Sequence, residues 1–335
     1  MQADTFLVAV YCIVDDLYQA QWARLKPVRP GAPVQMSDSE ILTLMVLSQW
    51  IPHWSEATFL QHVHRSWSGY FPRLVDQASY NRRCRDLMGV LCRLGPAIAQ
   101  ATTQMLNRPS SYEALDSVPV PLMCRCRGER HRLFGDEAGI GCGGSDRDWY
   151  YGVKVLASVN PQAQVTGFVV APASTADPWL AEALLRWRCD PTAAVPAAAQ
   201  LAPILGPSHH PPRVGPTGPL ARYGVGVASE GALGLADLGF RGAAWQQHWR
   251  TAYGATVVTP DTVRDDLRHW FGRQRHVVER VFSSLVGSFG LRFPRARSHW
   301  GLLTRIGAKI AAHNILIHIN LWAGRPAEAH VSLFA

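Results

Sequence analysis

The spacing of apolar residues divides the chain into two stretches. Over the first hundred residues it is helical. Phe6, Val10, Ile13, Val14 and Leu17 mark one face of a first helix. Ser37 and Glu40 form a capping-box pair ahead of the apolar run Ile41 to Leu47. A further helix carries Phe59, Leu60 and Val63, and a third runs from about Tyr80 past Leu91, with Pro96 expected to end or kink it. Leu106 to Ser111 reads as a linker.

Beyond it the pattern becomes mixed. Tyr112 to Val118, Trp149 to Val159 and Val165 to Val170 read as strands, the last two separated by the turn Asn160-Pro161-Gln162. Trp179 to Trp187 reads as a helix opened by Asp177-Pro178. Residues 189–228, rich in Pro, Ala and Gly, read as an insertion or long irregular loop. Short strands follow at Gly231 to Ala236 and Ala255 to Val258. A helix then runs from about Gln274 to Phe289 with Val278, Phe282, Leu285 and Phe289 inward, and a final long helix carries Leu302 to Ile317. Three strands, then helices alternating with strands, predict an α/β chain with antiparallel strands first and a parallel crossover later. The expected division is a helical N-terminal domain over 1–108, an α/β domain over 109–325 and a tail over 326–335.

Composition narrows the partners. The chain has 335 residues, 47 % hydrophobic, with a net charge of +8, which favours a polyanionic partner. Ten Lys/Arg stand against three acids between Arg264 and Lys309, and almost all of them are Arg, which forks onto phosphate oxygens. The run Asn81-Arg82-Arg83-Cys84-Arg85 puts three arginines near the expected start of a helix, where they oppose the helix dipole. Phosphate or acidic side chains elsewhere in the fold would compensate them. Seven scattered cysteines and no secretory leader point to a reducing cytoplasm. Cys124, Cys126, His131 and Cys142 lack the paired spacing of a zinc knuckle. No apolar run reaches membrane-spanning length.

Three isolated acids have the setting that metal-assisted phosphodiester chemistry needs: hard oxygen ligands at the ends of apolar strands, near basic residues. Asp116 lies inside the run Tyr112 to Val118. Asp237 ends Leu233-Gly234-Leu235-Ala236 and precedes Leu238-Gly239-Phe240. Glu279 stands on an apolar helix with Arg275 one turn before it. Each acid also has an ordinary reading: a buried ion pair for Asp116, a turn cap for Asp237, a surface pair with Arg275 for Glu279. Periodicity alone does not bring the three together.

Several ordered motifs resemble one family. Met36-Ser37-Asp38-Ser39-Glu40-Ile41 and Tyr80-Asn81-Arg82-Arg83 are similar to its helical region. Leu115-Asp116-Ser117-Val118-Pro119-Val120-Pro121 resembles its first-Asp motif, and Tyr151-Gly152-Val153-Lys154 its aromatic-Gly-x-Lys strand. Ala171 to Ser174 with Asp177 resembles the segment leading to the core helix. Ala236-Asp237-Leu238-Gly239-Phe240 resembles its second-Asp motif, Arg275 to Phe282 its Arg-x-x-x-Glu-x-x-Phe helix, and Lys309 to Asn314 its tail. The chain thus resembles bacterial insertion-sequence transposases of the DDE type, closest to the nine-eighty-two family of insertion sequences.

The resemblance implies an RNase-H-like mixed sheet flanked by helices, behind an all-helical N-terminal domain. It implies Asp116, Asp237 and Glu279 as ligands of two Mg²⁺ ions, with Mn²⁺ as a substitute. It implies terminal inverted repeats and target DNA as double-stranded partners, and work as a homodimer in the cytoplasm. Arg275, Lys154, Arg82 and Arg83 are the implied DNA contacts. Leu238 departs from the lysine common in the second-Asp motif, and Gly272 and Val286 depart from a Tyr and a Lys of a related signature. A structure-specific nuclease and a catalytically inactive DNA-binding derivative are the alternative readings.

Overall fold

Five helices open the chain, three of them with side-chain caps at their starts. The computed structural model describes residues 2–25, 34–131, 133–143, 148–189 and 233–329. Helix α1 (Ala3–Gln21) buries Phe6, Leu7, Val10, Val14 and Tyr18 on one face. Helix α2 (Asp38–Leu47) starts at the expected capping box: Glu40 N–H donates to Ser37 Oγ at 3.1 Å, and Ser37 N–H to Glu40 Oε2 at 2.6 Å. Ser37→Ala should cost about 1 kcal/mol, read as a lower denaturant midpoint at unchanged m-value. Helix α3 (Glu56–Ser66) is capped by Ser55, and α4 (Gln77–Asp86) by Asp76, whose Oδ1 accepts from the N–H groups of Ala78 and Ser79.

Two expectations for this region are corrected. The Arg82-Arg83-Arg85 cluster does not open a helix. It lies in the closing turns of α4, because Asp76 starts that helix earlier and a second helix, α5 (Met88–Leu106), begins just after it. There the arginines favour the dipole instead of opposing it. Nor does Pro96 end the helix: α5 continues through it to Asn107 in the left-handed conformation. Tertiary packing outweighs the local cost of proline, since Gly95 and Pro96 are buried and a Cβ on Gly95 would meet Ile310 Cγ2 at 2.7 Å.

The second stretch builds a curled mixed sheet flanked by helices. Its elements are β1 (Tyr112–Cys124), α6 (Arg125–Arg130), β2 (Gly139–Gly143), β3 (Asp148–Val159), β4 (Val165–Pro172) and α7 (Asp177–Cys189). They continue with β5 (Leu233–Ala236), α8 (Ala243–Tyr253), β6 (Thr256–Val258), α9 (Arg268–Gly287) and α10 (His299–Trp322). β3 pairs antiparallel with β1 on one side. On its other side it pairs with β4 and, farther along, with β2. β5 pairs parallel with β1 and β6 parallel with β5. The insertion expected over 189–228 falls almost wholly outside the described residues, and the tail expected from 326 is described only to Ala329.

Alternation along β1 divides the core. Ala114, Val118 and Val120 join a large cluster shared by α1 to α5, α9 and α10. The helical region therefore shares its core with the sheet and the C-terminal helices. Leu115 faces the other way, into a smaller cluster with α7, α8, Ala236 and Val257. Polar ties cross both clusters. Asn314 of α10 donates to the carbonyls of Gly95 and Val165, and its Oδ1 accepts from Val165 N–H. Glu182 of α7 accepts from Trp249 Nε1 and from the hydroxyl of Tyr253. Among the described residues no helix is long and apolar enough to cross a membrane.

Candidate active site

Strand pairing brings the first two acids together. Leu115 of β1 stands opposite Ala236 of β5, so the next residue on each chain is an aspartate, Asp116 and Asp237. Asp237 follows the carboxyl end of β5, where open α/β sheets place their ligands, and Asp116 lies within β1 just past the stretch paired with β5. Asp237 also serves as a turn cap: its Oδ1 accepts from Gly239 N–H at 2.8 Å. Gly239 is needed for this approach. A Cβ there would lie 2.9 Å from Asp237 Oδ1 and 3.0 Å from Asp177 Oδ2.

The third acid arrives on α9. Asp116 shares the strand face of Ala114 and Val118, toward the cluster that includes α9. Arg275 of α9 spans the gap, 3.5 Å from Asp116 Oδ2 through Nη1 and 2.6 Å from Glu279 Oε1 through Nη2. His276 Nδ1 is 2.7 Å from the other Glu279 oxygen. The pair Arg275–Glu279 is thus more than a surface ion pair, because it ties the helix to β1 through Asp116.

Sequence reasoning missed a fourth carboxylate. Asp177 begins α7, and its Oδ1 accepts from Ser117 Oγ at 2.8 Å and from Lys154 Nζ at 3.2 Å. It approaches from the α7 face, since Ser117 and Lys154 alternate with the residues of the α9 face. The signal available was its place, an acid five residues past the end of β4, but Asp177-Pro178 satisfies helix-start rules as well. Lys154, expected at DNA, is engaged by Asp177 and by the carbonyl of Thr175.

The carboxylates repel one another. Burial first, then the neighbouring charges of Asp237 and Asp177, push the Asp116 carboxyl up to about 6 against the pull of Ser117 N–H and Arg275. A carboxyl raised in the folded state contributes stability that is present below its unfolded value, near 3.9, and lost as pH rises through about 6. Asp116→Asn should therefore stabilise the metal-free protein at pH 7 by about 1–2 kcal/mol after allowing for partial exposure. The gain should vanish below pH 4, as thermal melts at the two pH values will read.

Chemically, the set suits a hard divalent cation: oxygen donors, no thiolate, and a repulsion that positive charge relieves. As oriented, the side chains are turned to protein donors. Among the described residues no three His, Cys, Asp or Glu groups converge on one ion position. Arg275 now supplies the positive charge between Asp116 and Glu279. Cys124, Cys126 and Cys142 are exposed thiols and form no ligand cluster.

The other expected DNA contacts divide. Arg82 is exposed, with one bond to Ser79 Oγ. Arg83 turns inward, 2.6 Å from the carbonyl of Met36 and 2.5 Å from Asp38 Oδ1, in a partly buried pair. In the basic segment, Arg273, Arg280, Arg292, Arg295 and Arg297 are exposed, while Lys309 is buried. Searches against protein-family models, curated proteins and solved structures returned no match.

Proposed function

We propose that the chain is a DDE-type DNA transposase with an RNase-H-like catalytic core, acting on double-stranded DNA at terminal inverted repeats and at a target. The observation that carries this reading is the juxtaposition of Asp116 and Asp237, each one residue past the last pair between two parallel strands, with Glu279 tied to Asp116 through Arg275. The sheet order β4-β3-β1-β5-β6, antiparallel through β1 and parallel after it, supports the same core.

Asp116, Asp237 and Glu279 would hold Mg²⁺ or Mn²⁺, and Asp177 lies near enough to contribute charge. Bound there, such ions supply Lewis-acid activation of water and charge stabilisation at phosphorus. With the carboxylates taken up by such ions, Arg275 would be free to turn to a DNA phosphate, two of whose oxygens its planar fork matches. Lys154 and Ser117 fix Asp177, and Gly239 admits the close approach of Asp177 and Asp237. Hydrolysis breaks a P–O3′ bond and leaves a 3′-hydroxyl and a 5′-phosphate. In transfer, that hydroxyl attacks a target phosphodiester, forming one P–O bond and releasing one target 3′-hydroxyl. A homodimer serves two transposon ends.

The test uses duplex DNA carrying the sequences that flank the coding region, with Mn²⁺ or Mg²⁺. Cut ends joined to a target plasmid support the proposal. Cuts without joining favour the nuclease reading, and binding without cutting favours the inactive derivative. Either result would overturn transposition by this chain.

A further inference from the structure

The strongest unexplained chemistry lies away from the acidic cluster, in a small, partly open pocket between α2, α3 and α10. Three cations line it: Lys309 and Arg305 of α10, and Arg295 of the segment before that helix. Glu56 is its one acid, and that carboxylate already accepts both bonds of Asn81 Nδ2, at 2.9 and 3.0 Å. Arg305 is only distantly paired with it, at 3.8 Å.

Lys309 is the telling residue. It is 4 % exposed, and its Nζ donates to the carbonyl of Phe289 at 2.5 Å, one of the three bonds an ammonium makes. Buried lysines are rare unless paired. Tyr80, 1 % exposed, also lines the pocket, and its hydroxyl has no oxygen or nitrogen partner among the described residues, only the Cys84 thiol beside it. Burial first, then the charges of Arg305 and Arg295, hold Lys309 down to about 7. Arg295 is held at φ 51°, a conformation costly for a residue with a side chain.

We infer that this pocket binds a phosphate-type oxyanion, held by Lys309, Arg305 and Arg295, with the Tyr80 hydroxyl as a further donor. A tetrahedral anion would accept charge-assisted bonds from all three cations and satisfy the orphaned hydroxyl. The site takes no part in the cutting chemistry proposed above, and its test requires none. The anion is either a DNA backbone phosphate or free phosphate.

The experiment is a phosphorus NMR titration of the full chain with inorganic phosphate at about 0.15 M ionic strength, where diffuse charge is screened beyond about 8 Å. Wild type should bind, and both Lys309→Met and Arg305→Met should weaken binding about tenfold or more. The partly exposed Arg305 site keeps the test alive if Lys309→Met fails to fold. Arg250→Met, which removes an exposed charge elsewhere, should bind as wild type does. Displacement of phosphate by a short duplex identifies a backbone phosphate as the occupant, and retention under saturating duplex identifies free phosphate. No binding by wild type, unchanged binding in both pocket variants, or equal weakening by Arg250→Met would overturn the inference.

Discussion

Asp237→Asn is expected to abolish metal-dependent DNA cleavage, by about three orders of magnitude or more, while leaving the fold and DNA binding intact. The size follows from removing a metal-bound carboxylate from a phosphoryl-transfer site, a loss of about 4 kcal/mol of barrier lowering. The choice of asparagine separates two roles of one side chain. Asp237 Oδ1 accepts from Gly239 N–H and caps the turn after β5. An asparagine oxygen keeps that bond, whereas alanine would lose it. Stability should therefore change little, or rise slightly as repulsion with Asp116 and Asp177 falls. Asp116→Asn and Glu279→Gln should lose cleavage to a similar degree. Glu279→Gln also retains an acceptor for Arg275, so lost activity there reports on charge rather than on helix position. An Asp237→Asn protein that cuts within a few fold of wild type would remove Asp237 from the chemistry and leave it as a turn cap.

Arg188→Met should be the most destabilising substitution at the sheet, costing about 3–5 kcal/mol, because it strands a buried charge. Arg188 ends α7 and reaches Glu113 of β1 at 2.5 Å and Thr166 of β4 at 3.1 Å. Glu113 is 3 % exposed and also accepts from Ser158 Oγ, at 2.5 Å. Burial alone would raise the Glu113 carboxyl; Arg188 and the hydrogen bonds overcome this and hold it below the usual range. A carboxyl lowered in the folded state stabilises above its unfolded value, near 4.3, and this contribution is lost as pH falls through the folded value. The Arg188→Met deficit should thus be largest near neutral pH and shrink in acid. Pairing it with Glu113→Leu should recover most of the loss, since a well-packed apolar pair replaces an ion pair at little cost. A melting temperature that falls by much less than about 10 °C, or a double variant no better than the single, would show that Glu113 finds other partners.

Both predictions depend on contacts between residues remote in sequence, and they mark where the sequence runs out. Local rules located the capping box at Ser37 and Glu40, the strands at Tyr112 to Val118 and Trp149 to Val159, and the buried stripe Val278, Phe282 and Leu285. These depend on hydrogen bonds and spacings within a few residues, so the amino-acid order suffices. The arginine cluster shows the limit. Its place in a helix depended on whether Asp76 or Tyr80 began the turn, and a single cap residue shifted it from one end of a dipole to the other. Pro96 shows a second limit, because close packing of Gly95 on Ile310 outweighed a local rule.

The sequence by itself determined most of the elements, though not β2, α6, α8 or the break between α4 and α5, together with the excess of arginine and the candidate acids Asp116, Asp237 and Glu279. Only the tertiary structure decided which charges meet. The parallel register of β1 on β5 set Asp116 beside Asp237, and the seat of α9 carried Arg275 to both Asp116 and Glu279. Asp177 joined the same site from the opposite face of the sheet. Lys309 left the basic surface for a buried pocket, and Arg83 turned to Asp38. The physical reason is common to all of these. Helical and strand periods fix which way a side chain faces within its own element, but the energy of a charge depends on what another element brings within a few ångströms of it, and on how much water that element excludes.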